Sequence, residues 1–128
     1  MTLNILVIED DPQISDALAR LLSESGHQVT TAAGGAAGLR LWREQGAGLV
    51  LTDIRMPGMS GIDVILQLRA EAPRLPVIVM SGGDRSGDRD LLGMVGLLGA
   101  VAVLPKPFTM DELDAAIAAA LRRSRRPA

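Results

Sequence analysis

Five short apolar runs, none long enough to cross a membrane, recur along the chain with stretches of helical spacing between them, and this alternation constrains the fold more than any other feature. The first run, "NILVIED", is apolar and partly β-branched at consecutive positions. That pattern suits a strand covered on both faces rather than one with a wet side. Further runs follow at 28–32 ("QVTTA"), 48–52 ("GLVLT"), 76–80 ("PVIVM") and 100–104 ("AVAVL"). The second is shorter and more polar, as befits a sheet edge. Strands alternating with helices imply parallel pairing through right-handed crossovers, hence a doubly wound α/β sandwich.

The intervening segments carry helix signals. Asp11 and Pro12 predict an N-cap and a first helical residue, Ile14, Leu18, Leu21 and Leu22 fall at helical spacing, and Gly26 is a stop. A second helix is expected over 36–46 with Leu39, Leu41 and Trp42, and a third around Ile62, Ile65 and Leu66. After the fourth strand comes the glycine-rich loop "SGGDRSGDRD" and a weak fourth helix interrupted by Gly93 and Gly96, each costing roughly 1 kcal/mol relative to alanine. The last helix opens with a capping box, Thr109 and Glu112, with Phe108 placed to staple onto Leu113, and runs to Leu121. We expect one domain over residues 1–124, then a short basic tail, 125–128.

Composition removes several function classes. The 128 residues carry a net charge of −2 and lack cysteine, which excludes disulfides, thiol catalysis and cysteine-bound metal. His27 is the single histidine, so a multi-histidine metal site is excluded, and the residue is expected at the surface. Trp42 and Phe108 are the only aromatics, too few for a base-stacking platform. Arg122, Arg123, Arg125 and Arg126 are read as solvated charges, so no nucleic-acid partner is expected. With no membrane span and no signal segment, the expected location is the cytoplasm.

In doubly wound sheets, functional groups gather beyond the carboxyl ends of the strands. Those ends supply Glu9, Asp10 and Asp11 after strand 1, Asp53 after strand 3, Ser81 after strand 4 and Lys106 after strand 5. Strand order 2-1-3-4-5 makes strands 1 and 3 neighbours and brings Glu9 and Asp10 to Asp53. At 4 Å and an effective dielectric near 20, each pair of like charges costs about 4 kcal/mol. The cluster must therefore bind a cation or keep a proton. Oxygen ligands with few fixed positions suit magnesium, and Lys106 adds a positive charge, which together prepare the rim for a phosphoryl group.

These segments, "ILVIEDDP", "LVLTDIRMPGMSGID", "PVIVMSG" and "VLPKPF", resemble the receiver domain of two-component response regulators in family order, apart from a longer interval between Ser81 and Lys106. The resemblance implies a flavodoxin-like receiver fold of stand-alone type. It makes Asp53 the phosphoacceptor for a sensor histidine kinase or a histidine phosphotransfer protein. Mg2+ would be bound by Asp10, Asp53 and the backbone carbonyl of Arg55, with Glu9 acting through water. Ser81 and Lys106 would contact the phosphoryl group, the Lys106–Pro107 peptide would be cis, and Pro57 and Gly58 would shape the turn.

The family's switch aromatic is replaced by Val103, and Gly82, Gly83 and Gly87 loosen the loop after Ser81. The expected switch is therefore the ordering of that loop and the fourth helix. Output would pass to a protein partner through the fourth helix, fifth strand and fifth helix, with homodimerisation left open. The chemistry would be self-catalysed phosphoryl transfer and autodephosphorylation, not that of a dedicated enzyme. Two alternatives stay open: a degenerate receiver serving only as an interaction module, and a phosphatase using Asp53, which would want a carboxylate where Arg55 stands. The Arg55 side chain either shields the phosphoryl group or faces solvent.

Overall fold

The structure, a computed structural model, describes residues 2–82 and 101–125. Its elements are β1 (Asn4–Ile8), α1 (Pro12–Glu24), β2 (Gln28–Ala32), α2 (Gly35–Gln45), β3 (Leu49–Asp53), α3 (Gly61–Glu71), β4 (Val77–Ser81), β5 (Val101–Pro105) and α4 (Met110–Arg125). The five strands form one all-parallel sheet in the order β2-β1-β3-β4-β5. The expected fourth helix, with Gly93 and Gly96, and the loop glycines Gly83 and Gly87 lie outside the described residues, so α4 is the fifth helix of the sequence-based expectation.

Period-two alternation splits the apolar runs between two cores. Leu6, Ile8, Val50, Val77 and Val79 pack toward α2 and α3, while Ile5, Val7, Leu49, Leu51, Ile78 and Met80 pack toward α1 and α4. Consecutive apolar residues therefore mean a strand buried on both faces. At the edge, β2 keeps only Ala32 buried.

Three strands begin and end one residue later than expected. Pro76 has no N–H for the ladder and contributes only its carbonyl, accepting from Val50 N at 3.0 Å. At the other end, pairing continues through Asp53↔Met80 and Ser81↔Pro105. Asp53 and Ser81 thus belong to strands and inherit their rigidity. In α3 the buried stripe is Ile62, Val64, Ile65 and Leu68, whereas Leu66 is 48% exposed, a hundred degrees or so off the phase of its neighbours. The α4 helix extends to Arg125, beyond the expected end at Leu121.

Caps follow the chemistry of their residues. Asp11 accepts from Gln13 N at 2.9 Å, and Thr109 and Glu112 exchange bonds at 3.1 Å. A second capping box, Ser60 with Asp63, starts α3 and was not anticipated from the sequence. His27 departs from its expected surface role. Its ring is half-buried, and Nδ1 accepts the Leu3 N–H at 3.1 Å, tying the start of the chain to the α1–β2 turn.

Candidate phosphoacceptor site

Strand alternation aims the reactive groups. Asp53 follows Leu49 and Leu51 on one face of β3, and Glu9 continues the Ile5 and Val7 face of β1. β1 and β3 are neighbours, with Ile8 paired to Thr52, so both carboxylates leave the sheet side by side. Asp53 is 7% and Glu9 2% exposed, whereas Asp10, one residue on, is exposed. Oxygens of Glu9, Asp10 and Asp53 lie within 4.8 Å of one another.

Lys106 enters from the end of β5. Its backbone N–H donates to the Ser81 carbonyl at 2.8 Å, which fixes the chain as it leaves the sheet. The Lys106–Pro107 peptide is cis. Lys106 Nζ then sits 3.1 Å from Glu9 Oε1 and 3.2 Å from Asp53 Oδ2, one cation bridging two carboxylates. Burial pushes the Glu9 carboxyl up to about 7, and the adjacent Asp53 carboxylate pushes the same way against the opposing pull of Lys106. Among the described residues, Glu9 Oε2 is buried with no hydrogen-bond partner.

That orphaned oxygen tests whether the residues fit a divalent cation. Three carboxylates cluster, one amine bridges two of them, and among the described residues one buried acceptor is still unsatisfied. A small hard cation satisfies such a set, and an all-oxygen donor shell suits magnesium.

The remaining expected residues are placed as follows. Ser81 is 2% exposed at the end of β4. Gly82 is half-buried and lines a groove of about 580 Å³ with Lys106, Pro107 and Phe108 against α1. The Arg55 side chain is exposed, and Gly58 takes a positive φ of 79° in the turn behind it. Val103 is 40% exposed on β5, so no ring stands at this position to swing inward. Gly83 lies outside the described residues. Two residues the sequence reading passed over adjoin Asp53: buried Thr52, whose hydroxyl donates to the Asp53 carbonyl at 3.0 Å, and Gly61, whose Cα closes on that same carbonyl.

Fold and rim together define a doubly wound α/β protein with a cation-ready acidic site at the carboxyl edge of its sheet. The response regulator receiver domain family matches residues 5–118, and the chain belongs to that family. Among curated relatives, the sensory transduction protein RegX3 of Mycobacterium tuberculosis is 41% identical over 121 residues, 94% of this chain and 51% of that protein. The transcriptional regulatory protein AfsQ1 of Streptomyces coelicolor is 41% identical over 124 residues, covering 96% and 53%. The chain thus spans about half the length of these relatives. Among solved structures, a response regulator receiver domain protein from Clostridium thermocellum superposes with a TM-score of 0.86 at 34% identity, covering 95% of this chain and 96% of that one. The response regulator TrrA of Thermotoga maritima, solved in complex with Mg2+ and BeF, gives 0.80 at 30% identity over 92% and 98%. Among the described residues no helix is long and apolar enough to cross a membrane.

Proposed function

We propose that the chain is a phosphorylation switch of two-component signalling, taking a phosphoryl group onto Asp53 from a phosphohistidine on a kinase or phosphotransfer protein. The observation that carries this reading is a single amine, Lys106 Nζ, bridging two buried carboxylates from adjacent strands. A purely structural ion pair has no use for the second carboxylate or for the unsatisfied Glu9 oxygen. In the transfer, an Asp53 oxygen attacks phosphorus. The P–N bond breaks, its electron pair stays on the imidazole nitrogen so that the ring, protonated beforehand on its other nitrogen, leaves as neutral histidine, and Asp53 becomes an acyl phosphate. Hydrolysis reverses the load: water attacks phosphorus, the P–O bond to Asp53 breaks, and the carboxylate and inorganic phosphate are released.

In this reading Lys106 would follow the charge as it moves from the carboxylate onto the phosphoryl oxygens, and the Ser81 hydroxyl would donate to one of them. Asp10, Asp53 and the Arg55 carbonyl would hold Mg2+, with Glu9 acting through water. Bound there, the ion supplies positive charge that offsets the carboxylates and the incoming phosphoryl oxygens. The Mg2+ and BeF seen on the related TrrA are consistent with such a site. Exposed Val103 supports an output surface on β5 that works without an aromatic switch.

Incubation with acetyl phosphate and Mg2+, followed by intact mass, tests the proposal. The native chain is expected to gain one phosphoryl group and Asp53→Asn none. No gain by the native chain, together with no binding of beryllofluoride, would instead leave a passive interaction module.

A further inference from the structure

We infer that Thr52 and Gly61 are positioning residues for the Asp53 carboxylate, a role that rests on the phosphoacceptor reading above. The two peptide groups on either side of Ile54, Asp53–Ile54 and Ile54–Arg55, are both held by neighbouring elements. Ile54 N–H donates to Met80 O at 3.0 Å, and Ile54 C=O accepts from Gly61 N–H at 2.9 Å. The Asp53 carbonyl accepts the Thr52 hydroxyl at 3.0 Å and lies against the Gly61 Cα.

Thr52 is fully buried, register-paired with Ile8 and Val79, in a strand whose same-face neighbours are apolar. Packing alone would be served by valine. The hydroxyl costs free energy to bury unless it is bonded, and its bond goes to the residue that carries the nucleophile. At Gly61 the requirement is close approach rather than a special φ. A Cβ there would strike the Asp53 carbonyl oxygen, and would stand 3.0 Å from the Asp53 carbonyl carbon and 2.8 Å from Ile54 Cα. All three are backbone atoms, so no rotamer change relieves the clash and the peptide behind Asp53 must move. The carboxylate then moves off Lys106 Nζ, now 3.2 Å away, and the Ile54–Ser60 segment that presents the Arg55 carbonyl moves with it. A nucleophile misplaced by about 1 Å loses on the order of a hundredfold in rate.

The test compares Gly61→Ala, Thr52→Val and Thr52→Ser with the native chain and with Leu68→Ala, which cuts a cavity in the α3 packing near the far end of the helix. Two quantities are read well below the Tm of every variant: affinity for Mg2+ alone by titration calorimetry, and the rate of phosphoryl gain from acetyl phosphate by intact mass. Gly61→Ala should lower both by at least about tenfold. Thr52→Val should lower both less, Thr52→Ser should restore them, and Leu68→Ala should leave both unchanged while lowering Tm. Native values in folded Gly61→Ala, or losses in Thr52→Ser equal to those in Thr52→Val, would overturn the inference. Should Gly61→Ala not fold, the two threonine variants decide alone. Failure of the phosphoacceptor reading is distinguishable, because the native chain itself would then gain no phosphoryl group.

Discussion

Two ion-pair sites at opposite edges of the sheet show what distance does and does not convey. At the end of α2, Arg43 meets Glu71 of α3 in a two-pronged contact as short as 2.6 Å, with a further bond to Gln67 at 2.9 Å. It borders a groove of about 860 Å³ lined by Trp42 and Leu75, larger than the groove beside Lys106. At the carboxyl edge, Lys106 reaches Glu9 and Asp53 at only 3.1 and 3.2 Å. The shorter contact carries less free energy, because both its side chains are at least 38% exposed and water competes for each charge. Around Lys106, among the described residues, two buried carboxylates, Glu9 and Asp53, meet one cation, so every proton or metal ion there changes the balance.

The largest effect on stability should come from removing that cation. Lys106→Met removes the amine that both Glu9 and Asp53 contact. Loss of one partner from a buried charge pair costs about 3–5 kcal/mol, expected here at pH 8 without Mg2+ and measured by urea unfolding. The cost should shrink toward pH 6, where Glu9 takes a proton. An equal cost at both pH values would show that the lysine acts through packing instead.

Next in size is the pH dependence contributed by Glu9. Its carboxyl titrates near 7 in the fold against 4.5 when free, so the folded state holds the proton more tightly. The contribution is complete below pH 4.5, where both states are protonated, and is lost as pH rises through 7. Stability of the metal-free protein should fall by about 3 kcal/mol across that window, and Glu9→Gln should flatten the slope. Saturating Mg2+ should reverse its sense, since the ligands bind as carboxylates and the ion competes with the proton. A slope unchanged in Glu9→Gln would assign the titration to another group.

This contrast also explains how much of the site is legible in the sequence. Five apolar runs with helical stretches between them determine the parallel sheet, because a strand buried on both faces has little other use in a chain of this length. The sheet in turn delivers Glu9, Asp53, Ser81 and Lys106 to one rim, since each immediately follows or ends its run. Thr52 and Gly61 escaped notice because their roles lie in distances between backbone atoms of separate elements: threonine in a strand and glycine at a helix start are each unremarkable by type. Leu66 marks the helix without marking its buried face, for a related reason. Three apolar residues at 62, 65 and 66 fit a helical stripe of two phases, and only packing against the sheet selects the one that includes Leu68. His27 looked idle because its partner is a backbone N–H of Leu3, a donor that any residue but proline would offer.

The smallest effect, and the sharpest check on the comparison, is expected at Arg43 and Glu71. The guanidinium holds the Glu71 carboxyl below its usual range, and the carboxylate raises the arginine in turn. Both changes are those of an exposed pair whose Coulomb gain is offset by immobilising two long side chains. Arg43→Ala, Glu71→Ala and the double variant should therefore unfold close to the native midpoint. Whatever coupling the double-mutant cycle detects should vanish at 1 M salt, where the screening length falls to about 3 Å. The Lys106–Glu9–Asp53 group should keep most of its coupling under the same conditions, because its carboxylates are shielded from the ions that screen the surface pair. Equal salt sensitivity at the two edges would mean that solvent reaches Glu9 and Asp53 as freely as it reaches Glu71.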